Sequence, residues 1–191
     1  SATTNFNGAL SGNGNLIISA GTTQLSVSNA SYSGNITLNG GTLQVNTTSA
    51  SPLGTGTLNL NGGILLANVN NTIANNWTLG GNTTINGSGN ISFTGNGEVL
   101  SGNTLTLSRT GTTAFNGSLN GAGNITNSAG AVTFAGTSPG YSGTITLNGG
   151  SATVTTNTGI GSGAVIINAN TTFTANAVVL NSNNFTLNGT A

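Results

Sequence analysis

Residues 32–45 read YSGNITLNGGTLQV, and the order of residue types in this stretch predicts the fold. Apolar and polar residues alternate over residues 36–38 and again over residues 43–45, as they do in strands with one buried face. Between them stand Asn39, Gly40 and Gly41, and Asn and Gly tolerate the left-handed backbone of a tight corner. The stretch therefore predicts two short strands joined by a corner.

The same pattern recurs about every 20 residues, at LNLNGGILL (residues 58–66) and WTL (residues 77–79). A strand, a corner and a strand at this period form one turn of a β-solenoid, whose neighbouring turns bury each other's apolar sides. We predict an all-β protein folded as a parallel β-helix. About nine turns fit in 191 residues, and at ~4.8 Å per turn the rod would be roughly 45 Å long. The alternative, a sandwich or barrel of short strands, does not need turn residues at fixed offsets.

A longer repeat contains the short one. Residues 141–150 read YSGTITLNGG and match residues 32–41 at an offset of 109 positions (141 − 32). Many further blocks share this offset, which is the sign of a true internal repeat. We interpret residues 1–191 as a single β-solenoid built from an internal duplication, with copies at about 6–114 and 115–191, the second copy being incomplete.

The composition excludes most protein chemistry. The chain holds one Arg, one Glu and no Lys, Asp, His or Cys. Acid–base pairs, nucleophilic triads and structural zinc or calcium sites all need side chains that are missing. We therefore expect no enzymatic activity and no catalytic, cofactor-binding or metal-binding residues. Zero net charge argues against nucleic-acid binding, and no apolar run approaches the ~18 residues of a membrane-spanning helix.

The two charged residues, Glu98 and Arg109, lie between the clear copies of the repeat. We expect them to form a solvated pair on neighbouring turns, which contributes at most ~1 kcal/mol to stability. The alternative is that Glu98 acts as a lone catalytic acid, but the sequence offers it no partner.

Aromatic residues alternate with polar ones, which predicts aromatic stacking inside the solenoid; a sugar-binding platform is the alternative. The residues concerned are Trp77, its repeat mate Phe185, and Phe93, Phe134 and Phe173. The two tyrosines of the chain, Tyr32 and Tyr141, precede Ser-Gly turns. We expect their rings to cover the edge of a turn while their hydroxyls reach water.

Asn-x-Ser/Thr sequons, including those at Asn35, Asn76 and Asn124, are expected mostly by chance in a chain rich in Asn and Thr. Thr arrays such as those in residues 104–107 and 153–155 raise the possibility of an ice-binding surface. The Thr positions are expected to drift from turn to turn, which argues against it.

Residues 32–45, followed by PLGTGTLNLNGG at residues 52–63, resemble the passenger-associated repeat of bacterial autotransporters. Residues 141–163 resemble it less fully, with SATV at residues 151–154 in place of TLQV, and the resemblance covers most of the chain. It implies a right-handed β-helix that is secreted through the outer membrane and serves as a stalk or an adhesive surface. The near absence of charge departs from the family.

We expect a structural, non-catalytic module of an extracellular fibre or stalk at the bacterial cell surface. Both ends of the chain interrupt the 109-residue unit, so the expected partners are further copies joined end to end, or adjoining repeats of a longer chain. The alternatives are an adhesin that binds glycans or surfaces through exposed Asn, Thr and aromatic residues, and an ice-binding solenoid.

Overall fold

The computed structural model describes residues 2–176, 180 and 182–189, and these form 20 strands and no helix. The strands are parallel and stack as a β-solenoid of about 9 turns, with successive turns about 20 residues apart. The predicted fold class and period are confirmed.

Each turn offers three strand positions, which we call faces C, A and B in the order in which the chain passes through them. Face A runs along the whole described rod. Its strands are β1 (Thr3–Phe6), β3 (Thr22–Leu25), β5 (Thr42–Val45), β7 (Ile64–Ala67), β10 (Thr83–Gly87), the first parts of β13 (Thr104–Phe115) and β15 (Asn124–Phe134), β16 (Ile145–Leu147), β18 (Val165–Asn168) and β20 (Phe185–Asn188).

Faces B and C each cover part of the rod. Face C consists of β2 (Leu16–Ile18), β4 (Ile36–Leu38), β6 (Leu58–Leu60), β9 (Trp77–Leu79), β12 (Gly97–Val99) and β14 (Leu119–Asn120). Face B consists of β8 (Asn71–Ile73), β11 (Ile91–Phe93), the last parts of β13 and β15, β17 (Gly150–Val154) and β19 (Thr171–Ala175).

The inward side chains of the three faces form one continuous apolar core. On face C, Ile36 pairs with Leu58, and Leu38 pairs with Leu60, which in turn pairs with Leu79. All five side chains are buried. Because strands in register lie ~4.8 Å apart, each core side chain packs directly on its equivalents in the next turns.

The corner between faces C and A is built from a column of glycines. Gly21, Gly41 and Gly63 have φ angles of 70°, 70° and 74°, in the left-handed region. A Cβ on Gly41 would collide with the carbonyl oxygen of Gly21 in the turn before it, and a Cβ on Gly63 would collide with Gly41. Both the backbone conformation and the close approach of the turns therefore require glycine here.

The second copy of the 109-residue repeat begins one face further round the rod than the first copy does. Five turns on face C carry the chain from Leu16 to Leu119. The repeat mate of Leu16 is Ile125, which lies one strand further on and pairs on face A. Likewise, β4 lies on face C, whereas its mate β16 lies on face A. One copy thus spans five turns plus one face, and equivalent residues of the two copies do not share a column.

The rotation also moves the irregular loops. In the first copy, residues 26–35 and 46–57 are loops that occupy the face B position between strands of faces A and C. In the second copy, the corresponding loops, residues 135–144 and 155–164, occupy the face C position between strands of faces B and A. Face A keeps its strands because neither copy places a loop there.

Replacement of Gly41 by Ala is expected to lower the free energy of unfolding by more than ~1–2 kcal/mol, the cost of a left-handed L-residue alone. The collision with Gly21 adds to that cost. Gly8→Ala is the control, because a Cβ there meets nothing within 4 Å. Urea denaturation of both variants checks the prediction, and equal stabilities would contradict it.

Candidate functional surfaces

The two charged residues do not form the predicted solvated pair. Glu98 points outward on face C, between Thr78 and Asn120 in neighbouring turns, and is half-buried. Arg109 lies at the corner between faces A and B and is 2% exposed. The expected pair does not form because the backbone turns at the corner and directs the side chain of Arg109 into the rod.

Arg109 is a buried cation held by backbone oxygens. Its guanidinium donates hydrogen bonds to the carbonyl of Gly89, and to those of Ala67 and Asn86 at 3.5 Å each. Its Nε has no partner among the described residues. Desolvation by burial lowers the pKa of Arg109 to about 10. Arg109 thus connects three turns at a place where the register between β13 and β15 shifts, and its charge is buried.

Both tyrosines are buried, and the hydroxyl of Tyr141 does not reach water, contrary to the expectation. The hydroxyl of Tyr32 donates to the carbonyl of Gly14 at 2.6 Å, and that of Tyr141 donates to Gly123 at 3.0 Å. Tyr141 is 0% exposed. Burial raises the pKa of both phenols. Each tyrosine closes a loop onto the turn before it, and this is a structural role.

An aromatic stack fills the core at mid-length. The ring centroid of Trp77 lies 5.4 Å from that of Phe93, and Phe93 and Phe115 are stacked at 5.6 Å, as are Phe115 and Phe134. All four side chains are buried, so the predicted internal stacking is confirmed for Trp77, Phe93 and Phe134. Phe115 was missed because its alternation was not followed through the long strand β13.

The other two predicted core aromatics lie at the last turns. Phe173 is half-buried, and Phe185 is 40% exposed. Their ring centroids are 5.5 Å apart in an edge-to-face arrangement. The two rings contact each other, as predicted. The prediction that Phe185 lies inside the solenoid was wrong, because fewer described residues cover the inward side of these last turns.

The asparagines of the sequons have a structural use. The side-chain oxygens of Asn35, Asn76 and Asn124 accept backbone N–H bonds from the next turn, at 2.9–3.1 Å. Each precedes a strand, where the ladder needs an extra acceptor. These three Asn side chains therefore help to join successive turns.

Two shallow grooves lie on the outside. One groove, of about 580 Å³, lies on face B. It is lined mainly by Thr, Asn and Ser side chains, including Thr48, Thr72 and Ser92, and by the apolar Ile91 and Ala114. The other, of about 310 Å³, lies on face C and includes Thr78 and Glu98. No three His, Cys, Asp or Glu side chains come together within the described part of the chain.

Face A presents an aligned outward column of Thr, and the expected drift of Thr positions is wrong there. Thr84, Thr106, Thr126 and Thr146 are register partners in four successive turns. Counting a constant number of residues from one turn to the next produces an apparent drift of the Thr positions, because the turns differ in length, from about 19 to 22 residues.

No protein-family model, curated protein or solved structure matches this chain. Among the described residues there is no helix that is long and apolar enough to cross a membrane.

The free energy of unfolding is expected to stay nearly constant from about pH 5 to 9 and to fall above about pH 10. An unfolded Tyr loses its proton near pH ~10, whereas the folded chain keeps Tyr32 and Tyr141 protonated, so deprotonation favours unfolding as the pH rises. Arg109 acts in the opposite direction, because its lowered pKa lets the folded state lose that proton first.

Denaturation of the wild type and of Tyr141→Phe at neutral pH and at about pH 11 separates these contributions. The variant loses one hydrogen bond, at a cost of about 1 kcal/mol at neutral pH. Its stability should nevertheless fall less between the two pH values. Parallel pH dependence in both proteins would contradict the assignment.

Proposed function

We propose that this chain is a structural, non-catalytic module of an extracellular fibre or stalk at a bacterial surface, and that it acts through its shape and stiffness. The observation that carries the proposal is the uninterrupted ladder of face A, from Thr3 to Asn188, over one continuous core. Nothing along this length divides the described chain into separate units. A rod of this kind holds two points apart at a set distance.

The hydrogen bonds between turns run along the rod axis, because the strands lie across it. Bending the rod must stretch the ladders on one side and compress the turns on the other. The glycine corners already bring backbones as close as they can come, as at Gly41 and Gly63. The aromatic stack from Trp77 to Phe134 fills the centre at mid-length. These features support stiffness in the direction that a stalk needs.

The resemblance of residues 32–63 to autotransporter passenger repeats supports the bacterial surface as the location. Among the described residues β1 pairs only with β3, and β20 only with β18. The free edges could pair with an adjoining turn of a longer chain or with a second copy, and we propose one of these as the partner. Successive 109-residue units would each be rotated by one face, which distributes their loops around the rod.

Force spectroscopy on the tethered chain tests the stalk role. Turns of a solenoid contact only their neighbours, so we expect stepwise extension as the turns peel off in sequence. Deletion of residues 78–97 removes one full turn, since Trp77 and Gly97 are register partners. This variant should fold and lose one step.

Deletion of residues 78–87 is the matched control, because it joins a face C strand to the middle of a turn and destroys the register. This control should not fold. A single all-or-none extension of the wild type, or equal tolerance of both deletions, would contradict the stalk proposal.

The groove on face B favours an adhesin as the second candidate function. Its lining of Asn, Thr and Ser suits the hydroxyls of a glycan, and the outward side chain of Thr72 lies in it. Screening the chain against a glycan array tests this candidate. Saturable binding should be lost in Thr72→Tyr, which fills the groove.

Thr153→Tyr is the matched control for that screen, because Thr153 lies on the same face outside the groove. Absence of binding by the wild type, or equal losses in both variants, would exclude the groove as a glycan site.

A further inference from the structure

Ten outward positions form a single column along face A, one in each strand of that face. Each is the register partner of the next, so the column runs straight along the rod. Eight of the ten positions are Thr and two are Ile. The residues are Thr3, Thr22, Thr42, Ile64, Thr84, Thr106, Thr126, Thr146, Ile166 and Thr186.

The hydroxyls of this column are available to an external partner. All ten side chains are half-buried or exposed, and none of the eight hydroxyls bonds to another described residue. Face C differs, because Asn59 there donates a hydrogen bond to the hydroxyl of Thr37. The Thr hydroxyls of face A therefore add no side-chain hydrogen bonds between turns and remain available at the surface.

The column is rigid and evenly spaced. Parallel strands lie ~4.8 Å apart, so the ten positions span about 43 Å with a single repeat. Thr and Ile are both branched at Cβ, which restricts χ1 and so limits the orientations that each side chain adopts. At the two positions without a hydroxyl, Ile keeps the same branched shape. The surface thus presents the methyl and hydroxyl groups of eight Thr side chains at multiples of one interval, with Ile64 and Ile166 at the two remaining positions.

The column is flanked by further uncharged polar side chains. Gln24, Gln44 and Asn86 lie beside it in the first half, and the apolar Leu66 lies between Gln44 and Asn86. In the second half, Asn148, Asn168 and Asn188 form a ladder of side-chain hydrogen bonds. Neither charged residue disturbs this face, because Glu98 lies on face C and Arg109 is buried.

A partner that contacts ten equal positions must itself repeat at one interval over the same length, as a crystal surface does. Hydroxyls donate and accept hydrogen bonds as water does, and the strand spacing is close to the repeat of water oxygens on the surface of ice. Crystalline polysaccharide fits less well, because sugar rings are bound on aromatic faces and this column holds only Thr and Ile. We propose that face A binds ice, with the Thr column ordering the contacting water layer. This proposal does not rest on the stalk role.

Partition of the purified chain into slowly growing ice, together with thermal hysteresis, tests the proposal. The wild type should be enriched in the ice fraction and should lower the freezing point below the melting point. Thr106→Lys and Thr126→Lys place a bulky charge at the centre of the column. Each should reduce the ice-bound fraction roughly tenfold, as expected when a central contact is lost.

Thr78→Lys is the matched control, since Thr78 is an outward, half-buried Thr on face C. It should bind ice as the wild type does, and all three variants should share the wild-type melting temperature, which shows that the loss is not one of folding. Thr106→Val should retain more activity than Thr106→Lys, because Ile64 and Ile166 already replace the hydroxyl at equivalent positions.

Three outcomes would overturn the proposal. The first is that the wild type is excluded from ice and shows no hysteresis. The second is that the lysine substitutions on faces A and C have equal effects. The third is that the chain binds crystalline cellulose or chitin through face A but does not bind ice.

Discussion

The structure depends on the close stacking of turns by parallel backbone hydrogen bonds. Once two turns are in register, every residue lies ~4.8 Å from its equivalent in the next turn, and each position along the turn becomes a column. A column accommodates only residue types whose side chains can pack against the same type of side chain in the neighbouring turns. Apolar residues such as Leu38 and Leu60 form the core columns, and glycines such as Gly41 form the corner columns. This constraint favours the apolar residues and glycines that make up much of the sequence.

The low charge follows from the same constraint. In a column, a charged side chain lies close to whatever occupies the same position in the neighbouring turns, and two like charges would repel. Asn, Thr and Ser supply hydrogen bonds without that penalty, as Asn35 does for the backbone of Thr57. Arg109 is compatible with the rod because it occurs once and turns inward to backbone carbonyls. The surface that results is polar, uncharged and periodic.

The rotation of the repeat by one face connects the sequence to the surfaces. Because a copy spans five turns plus one face, its loops move from face B in the first copy to face C in the second. Face A alone keeps a strand in every turn of the described rod. It is therefore the one face on which a regular column such as Thr84 to Thr146 can run without interruption. The proposed stalk role would use the length of the rod, whereas the proposed binding of ice would use the regularity of this face.

The sequence by itself determined the strands, the corners, the period of about 20 residues and which apolar side chains face inward, because alternation and Gly corners are local features. It also indicated the stacking of Trp77 and Phe93. Only the tertiary structure decided which residues share a column, since turns of 19 to 22 residues shift the register that counting along the chain suggests. Three expectations drawn from the sequence were therefore wrong: that Arg109 lies in solvent, that the hydroxyl of Tyr141 reaches water, and that the Thr positions drift from turn to turn. Those three properties depend on the direction of a side chain at a corner, a loop or a ladder, and that direction is set by contacts between turns.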